Sequence, residues 1–117
     1  MEPLIDRAQL LESLEAMGGE PAEALALILD LYSEDAPQLL GAIVQGAAAA
    51  DFEQLRFAAH SLKSSSATLG AHRLAQLCQQ MEHQAHRREA HNLSALAQQL
   101  QAAYQATWAA FRDPALL

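Results

Sequence analysis

Apolar residues recur along the chain at helical spacing, and breaks in that spacing divide it into five segments. Asp6-x-x-Gln9 reads as a capping box opening a first short helix, which Gly18-Gly19 ends. Pro21 suits the first turn of the next segment. The pattern then stays helical to about Ala49, through Leu25, Ile28, Leu29, Tyr32, Leu40, Ile43, Val44 and Ala47. Pro37 lies inside this span, where it either starts a second helix near Glu34 or kinks one long helix; the pattern allows both.

A second capping box, Asp51-x-x-Gln54, predicts a helix to about Leu69, broken by Gly70. Another runs from Ala71 to about His86 with Leu74, Leu77, Cys78 and Met81 on one stripe, and Arg87 to His91 reads as a polar turn. The last, from about Leu93 to Phe111, presents Leu96, Leu100, Tyr104, Trp108 and Phe111 at helical spacing. Short connections make neighbouring long helices antiparallel. The expected fold is all-α: an antiparallel up-and-down four-helix bundle with an additional short N-terminal helix, one domain spanning 1–117.

Composition agrees with helix. Of the 117 residues 51% are hydrophobic, with alanine supplying much of that share, and only 5% are aromatic. A formal net charge of -7 argues against nucleic acid or an anionic membrane as partner. No basic flank with an apolar run marks a signal peptide, and no stretch approaches the length of a membrane span. Cys78 is alone, which excludes an intrachain disulfide and suits a reducing cytoplasm. With no obvious second apolar face, a monomer is expected.

Turning the Asp51–Leu69 segment by about 100° per residue puts Leu55, Ala59, Leu62, Ser66 and Leu69 on one buried stripe. His60 falls roughly 140° away, in solvent, sharing its side with Arg56, Lys63, Ser64 and Ala67. An imidazole is a competent nucleophile at neutral pH, its ordinary pKa being about 6.5. Attack on a phosphoryl group needs an accessible ring, a fixed tautomer and a nearby cation, and Lys63 is a neighbour on the same surface. An exposed histidine on a helix is by itself an ordinary surface residue. The run Ser64-Ser65-Ser66 is less ordinary, since it weakens a helix; close approach of a partner is one reason to tolerate it. If the chain folds back at Gly70-Ala71, His60 and Glu82 stand eleven residues either side of Ala71 and so at one height. The Glu82 carboxylate then accepts from Nδ1–H of His60 and leaves Nε2 free.

The stretch from His60 through Leu62, Lys63, Ser65, Ser66, Leu69, Gly70, Ala71, Leu74 and Cys78 to Met81-Glu82 resembles the signature of histidine-containing phosphotransfer (HPt) domains. Leu31 to Pro37 is similar to the helix that precedes the histidine helix in that family, and the likeness covers roughly residues 5 to 111. The resemblance implies a bundle whose histidine is phosphorylated on Nε2 by the aspartyl phosphate of a receiver domain of a hybrid sensor kinase. The group then passes, reversibly, to the receiver of a response regulator. It makes Lys63 the lysine near the phosphate and Glu82 the residue that contacts the ring, with Arg56, Ser64 and Ala67 in the docking surface. Ser64 departs from the usual glycine, and Met81 from leucine. It further implies a phosphoryl carrier with no autokinase activity and no cofactor of its own, Mg²⁺ residing in the partner receiver. Beginning at Met1 and ending soon after the last helix, the chain is expected to be a stand-alone bacterial carrier, the alternative being a phosphotransfer domain cut from a larger chemotaxis kinase.

Two other readings compete. Glu82, His83, His86 and His91 could bind a metal near one helix end, although Arg87 and Arg88 would repel it. A helical adaptor could bind receivers without being phosphorylated. Cys78 reads as a buried small hydrophobe, His72 as a surface residue beside the docking face at most, and Trp108 and Phe111 as core.

Overall fold

The computed structural model describes residues 3–117, and every element among them is helical. Helices α1 (Arg7–Met17), α2 (Pro21–Ala49), α3 (Phe52–Thr68), α4 (His72–His86) and α5 (Leu93–Phe111) follow one another with short connections. Each of α2 to α5 packs against its two neighbours, α5 closing back on α2, so the four form an antiparallel bundle. Helix α1 lies across α2 and α3. No described helix is long and apolar enough to cross a membrane.

The start signals work by half of the expected mechanism. Oδ1 of Asp6 accepts from the Gln9 N–H and Oδ1 of Asp51 from the Gln54 N–H, both at 3.1 Å. The reciprocal bonds of a full capping box are missing because other partners compete. The Gln54 side chain donates to the Ala42 carbonyl on α2 at 2.9 Å, and Gln9 reaches Ser13. Asp6 and Asp51 instead direct their own N–H groups to the carbonyls of Gly70 and Gly46.

Pro37 neither ends α2 nor starts a new helix: one helix of 29 residues runs through it. At 1.5 Å per residue it spans about 44 Å, the full 44 Å long axis of the molecule. Pro37 is on the exposed side of α2, where water can satisfy the carbonyl that its ring leaves unpaired. Val44, expected in the apolar stripe, is exposed, and Trp108 is only half-buried, while Phe111 is in the core. Val44 stands about 100° round the helix from Ile43, which takes the buried position.

Two glycines let backbones approach. A Cβ on Gly46 would stand 3.0 Å from the Leu55 side chain, so α2 and α3 close tightly there. Gly70, at φ 77°, would bring its Cβ to 2.5 Å from the Asp6 carbonyl oxygen. The turn between α3 and α4 is therefore also the seat of the N-terminal segment. The α4–α5 connection is more than a polar turn. Arg88 and Asn92 adopt φ of 56° and 60°, the Gln84 amide donates to the carbonyls of Glu89 and His91, and the Arg88 guanidinium sits over the Phe52 ring at 5.5 Å.

Candidate functional site

Helix α3 turns Leu55, Ala58, Ala59, Leu62 and Ser66 into the core. Its opposite side carries Arg56, His60, Ser64 and Ala67, all exposed, with the His60 side chain 61% accessible. Leu74, Leu77, Cys78, Met81 and Ala85 anchor α4. Glu82, next to Met81, consequently emerges at the rim facing α3.

There the Glu82 carboxylate bridges the two residues that the sequence singled out. Oε2 lies 2.8 Å from Nδ1 of His60, and Oε1 accepts from Nζ of Lys63 at 2.5 Å. Burial pushes the Glu82 carboxyl up, but the hydrogen bonds from Lys63 and His60 outweigh it and hold the group below the ordinary carboxylate range. An ionised carboxylate can only accept, so the neutral imidazole presents Nδ1–H to it. Nε2 then keeps its lone pair and faces solvent. The site holds an accessible imidazole fixed through Nδ1 by a carboxylate, with a half-buried ammonium one turn away.

The serine run divides by role. Ser66 is buried, its hydroxyl 2.8 Å from the Tyr32 hydroxyl. Ser65 donates to carbonyls of its own helix, Ser61 and Leu62. Of the three, Ser64 is the exposed one, one turn beyond His60.

Cys78 is fully buried, and burial pushes its thiol up to about 12, leaving it unreactive. His72 donates from Nε2 to Oδ2 of Asp6 at 3.0 Å, and that bond is the main cause of a lowered Asp6 pKa. His72 also borders a groove with Lys63, Ser64 and Ala67, beside the surface expected for docking. Among the described residues Glu82, His83, His86 and His91 do not converge as a ligand group. Sequence reasoning missed Phe57: it is 73% exposed and shares a cleft with Arg56, His60 and Glu82. The available signal was a phenylalanine outside the apolar stripe, three residues before the histidine.

A helical bundle that displays one histidine, braced by a carboxylate across a helical hairpin, matches the sequence profile of the Hpt domain over residues 27–110. The chain belongs to the Hpt domain family, whose members are phosphocarrier modules of phosphorelays. It is similar to the crystal structure of histidine-containing phosphotransfer protein B (HptB) from Pseudomonas aeruginosa PAO1. That likeness has a TM-score of 0.84 at 28% identity, over 96% of this chain and 94% of the other. It is also 40% identical to the sensor protein TorS of Escherichia coli (strain K12) over 80 residues. Those residues are 68% of this chain but 8% of the length of TorS.

Proposed function

We propose that the chain carries a phosphoryl group on Nε2 of His60 between the aspartates of two receiver domains, one of a hybrid sensor kinase and one of a response regulator. The observation that carries this reading is the 2.8 Å contact from His60 Nδ1 to Glu82, with the other face of the ring open. In the step, the Nε2 lone pair forms the P–N bond while the P–O bond to the donor aspartate breaks. That electron pair leaves on the aspartate carboxylate. The ring becomes cationic with its proton still on Nδ1, where Glu82 stabilises it. Lys63, three residues along, supplies positive charge toward the phosphoryl oxygens. Transfer to the acceptor runs the same step in reverse. The divalent cation of the reaction belongs to the receiver.

The test is transfer of labelled phosphate from a phosphorylated receiver to the wild-type chain and to His60→Ala. The expected product is acid-labile and alkali-stable, and it is absent in the variant. His60→Ala should remain folded, since an exposed side chain contributes little to stability. Label retained in His60→Ala would overturn the assignment, and no label from any donor would leave the adaptor reading in its place.

A further inference from the structure

The side-chain hydroxyls from Ser64 to Thr68 are committed, with one exception. Ser65 Oγ donates to the carbonyls of Ser61 and Leu62, Ser66 pairs with Tyr32 in the core, and Thr68 Oγ1 donates to the Ser64 carbonyl at 3.0 Å. Bonding back to a carbonyl of the preceding turn is how a serine or threonine inside a helix satisfies itself. Ser64 Oγ makes no such bond among the described residues, although the His60 carbonyl stands four residues behind it. It is on the exposed side of α3, one turn from a ring whose Nε2 is open.

The orientation of that ring decides which flank a phosphoryl group occupies. Nδ1 of His60 is turned to Glu82 on α4, and the two nitrogens of an imidazole face away from each other across the ring. Nε2 therefore points outward and away from α4. At about 100° per residue, Lys63 and Ser64 fall on opposite flanks of His60. Lys63 takes the α4 flank, where Glu82 holds its ammonium at 2.5 Å, so Ser64 takes the flank to which Nε2 points. Residues four apart stack one above the other with Cβ atoms about 5–6 Å apart, and the Ser64 side chain tilts back toward the turn that carries His60. A phosphoryl group on Nε2 spans that gap, and its oxygens are strong acceptors for a hydroxyl with no other partner.

We propose that Ser64 Oγ donates a hydrogen bond to a phosphoryl oxygen of phosphorylated His60, so that the hydroxyl on one flank and the Lys63 ammonium on the other retain the group on the carrier. The serine keeps its proton and forms no bond to phosphorus. The proposal deepens the phosphoryl-carrier reading above and rests on it. The hydrogen bond exists only in the phosphorylated chain, so it shifts exchange with a receiver toward the carrier.

The test labels the chain with phosphoramidate, a small donor that needs no docking surface, and titrates the phosphohistidine by phosphorus NMR. A hydrogen-bond donor favours the dianionic phosphoryl group over the monoanionic one. Ser64→Ala should therefore raise the proton affinity of the group about three- to tenfold, the strength of one exposed hydrogen bond to a charged acceptor. Ser64→Gly, smaller but equally without a hydroxyl, should match Ser64→Ala. Alanine is the better helix former, so that variant keeps its fold. The charged groups around the ring, Glu53, Arg56 and Lys63 on α3 and Glu82 on α4, are the same in all three proteins. In Ser64→Ala the equilibrium constant for exchange with a receiver should move toward the receiver by a similar factor; docking speeds both directions alike and cancels from it. A proton affinity within twofold of wild type in Ser64→Ala, or a Ser64→Gly value that returns to wild type, would overturn the proposal while leaving the carrier reading intact. Failure of phosphoramidate and of every receiver to label wild-type His60 would defeat the carrier reading, and this proposal with it.

Discussion

Replacing Glu82 by alanine tests the site most directly, because one carboxylate holds both the ring and the ammonium. The substitution removes the 2.8 Å bond to His60 Nδ1 and the 2.5 Å bond to Lys63. Hydrogen bonds to charged groups contribute about 1.5–3 kcal/mol, and the 61% exposure of His60 puts its bond toward the low end. A loss of about 1.4–2.7 kcal/mol in the transition state corresponds to roughly ten- to a hundredfold slower transfer. Glu82→Gln keeps an acceptor for Nδ1–H but loses the charge that opposes the cationic ring and tethers Lys63. Its transfer rate should therefore fall between wild type and Glu82→Ala. Stability should change by less than about 1 kcal/mol in either variant, since the site is at the bundle rim. The assay is single-turnover transfer from a phosphorylated receiver, paired with nitrogen NMR of the His60 ring. The wild type should show the Nδ1–H tautomer predominating, and Glu82→Ala a mixture. A Glu82→Ala protein with wild-type rate and wild-type tautomer would refute the argument that the carboxylate prepares the nucleophile.

Other outcomes follow from single features of the fold. Gly70→Ala places a Cβ 2.5 Å from the Asp6 carbonyl oxygen at φ 77°, and should cost about 2–4 kcal/mol in urea unfolding, combining backbone strain with displacement of the N-terminal segment. Thr107→Val should raise stability by about 1 kcal/mol, because the Thr107 hydroxyl is buried with no hydrogen-bond partner among the described residues; a lower Tm in the valine variant would show that the hydroxyl is satisfied. Glu82, held below its ordinary value of 4.5, contributes stability that is fully present above that value and lost as pH falls through the lowered folded one. The acid limb of the unfolding free energy should accordingly be shallower in Glu82→Gln than in wild type.

Much of the architecture was legible in the chain because local signals agree with one another. Asp6 and Asp51 mark helix starts, Gly18-Gly19 and Gly70 mark ends, and apolar spacing names the buried faces of α3, α4 and α5. The exposed position of His60 follows from the same spacing, since one stripe of α3 must be buried and His60 lies opposite it. Equal distances from the Gly70 turn were enough to bring Glu82 to its ring. The rest depended on which residues meet across helices. Whether Pro37 divides α2 depends on where the missing hydrogen bond points, and only packing settles that it faces water. Gly46 is required by Leu55 and Gly70 by the Asp6 backbone, contacts between segments far apart in sequence. Ser66 looks like its neighbours until Tyr32 is placed beside it. Phe57 stands outside the apolar stripe already in the sequence, but the cleft it shares with His60 and Glu82 exists only in the assembled bundle. A periodic pattern encodes the direction in which a side chain points; what stands opposite depends on the register of helix against helix, which only the assembled bundle decides.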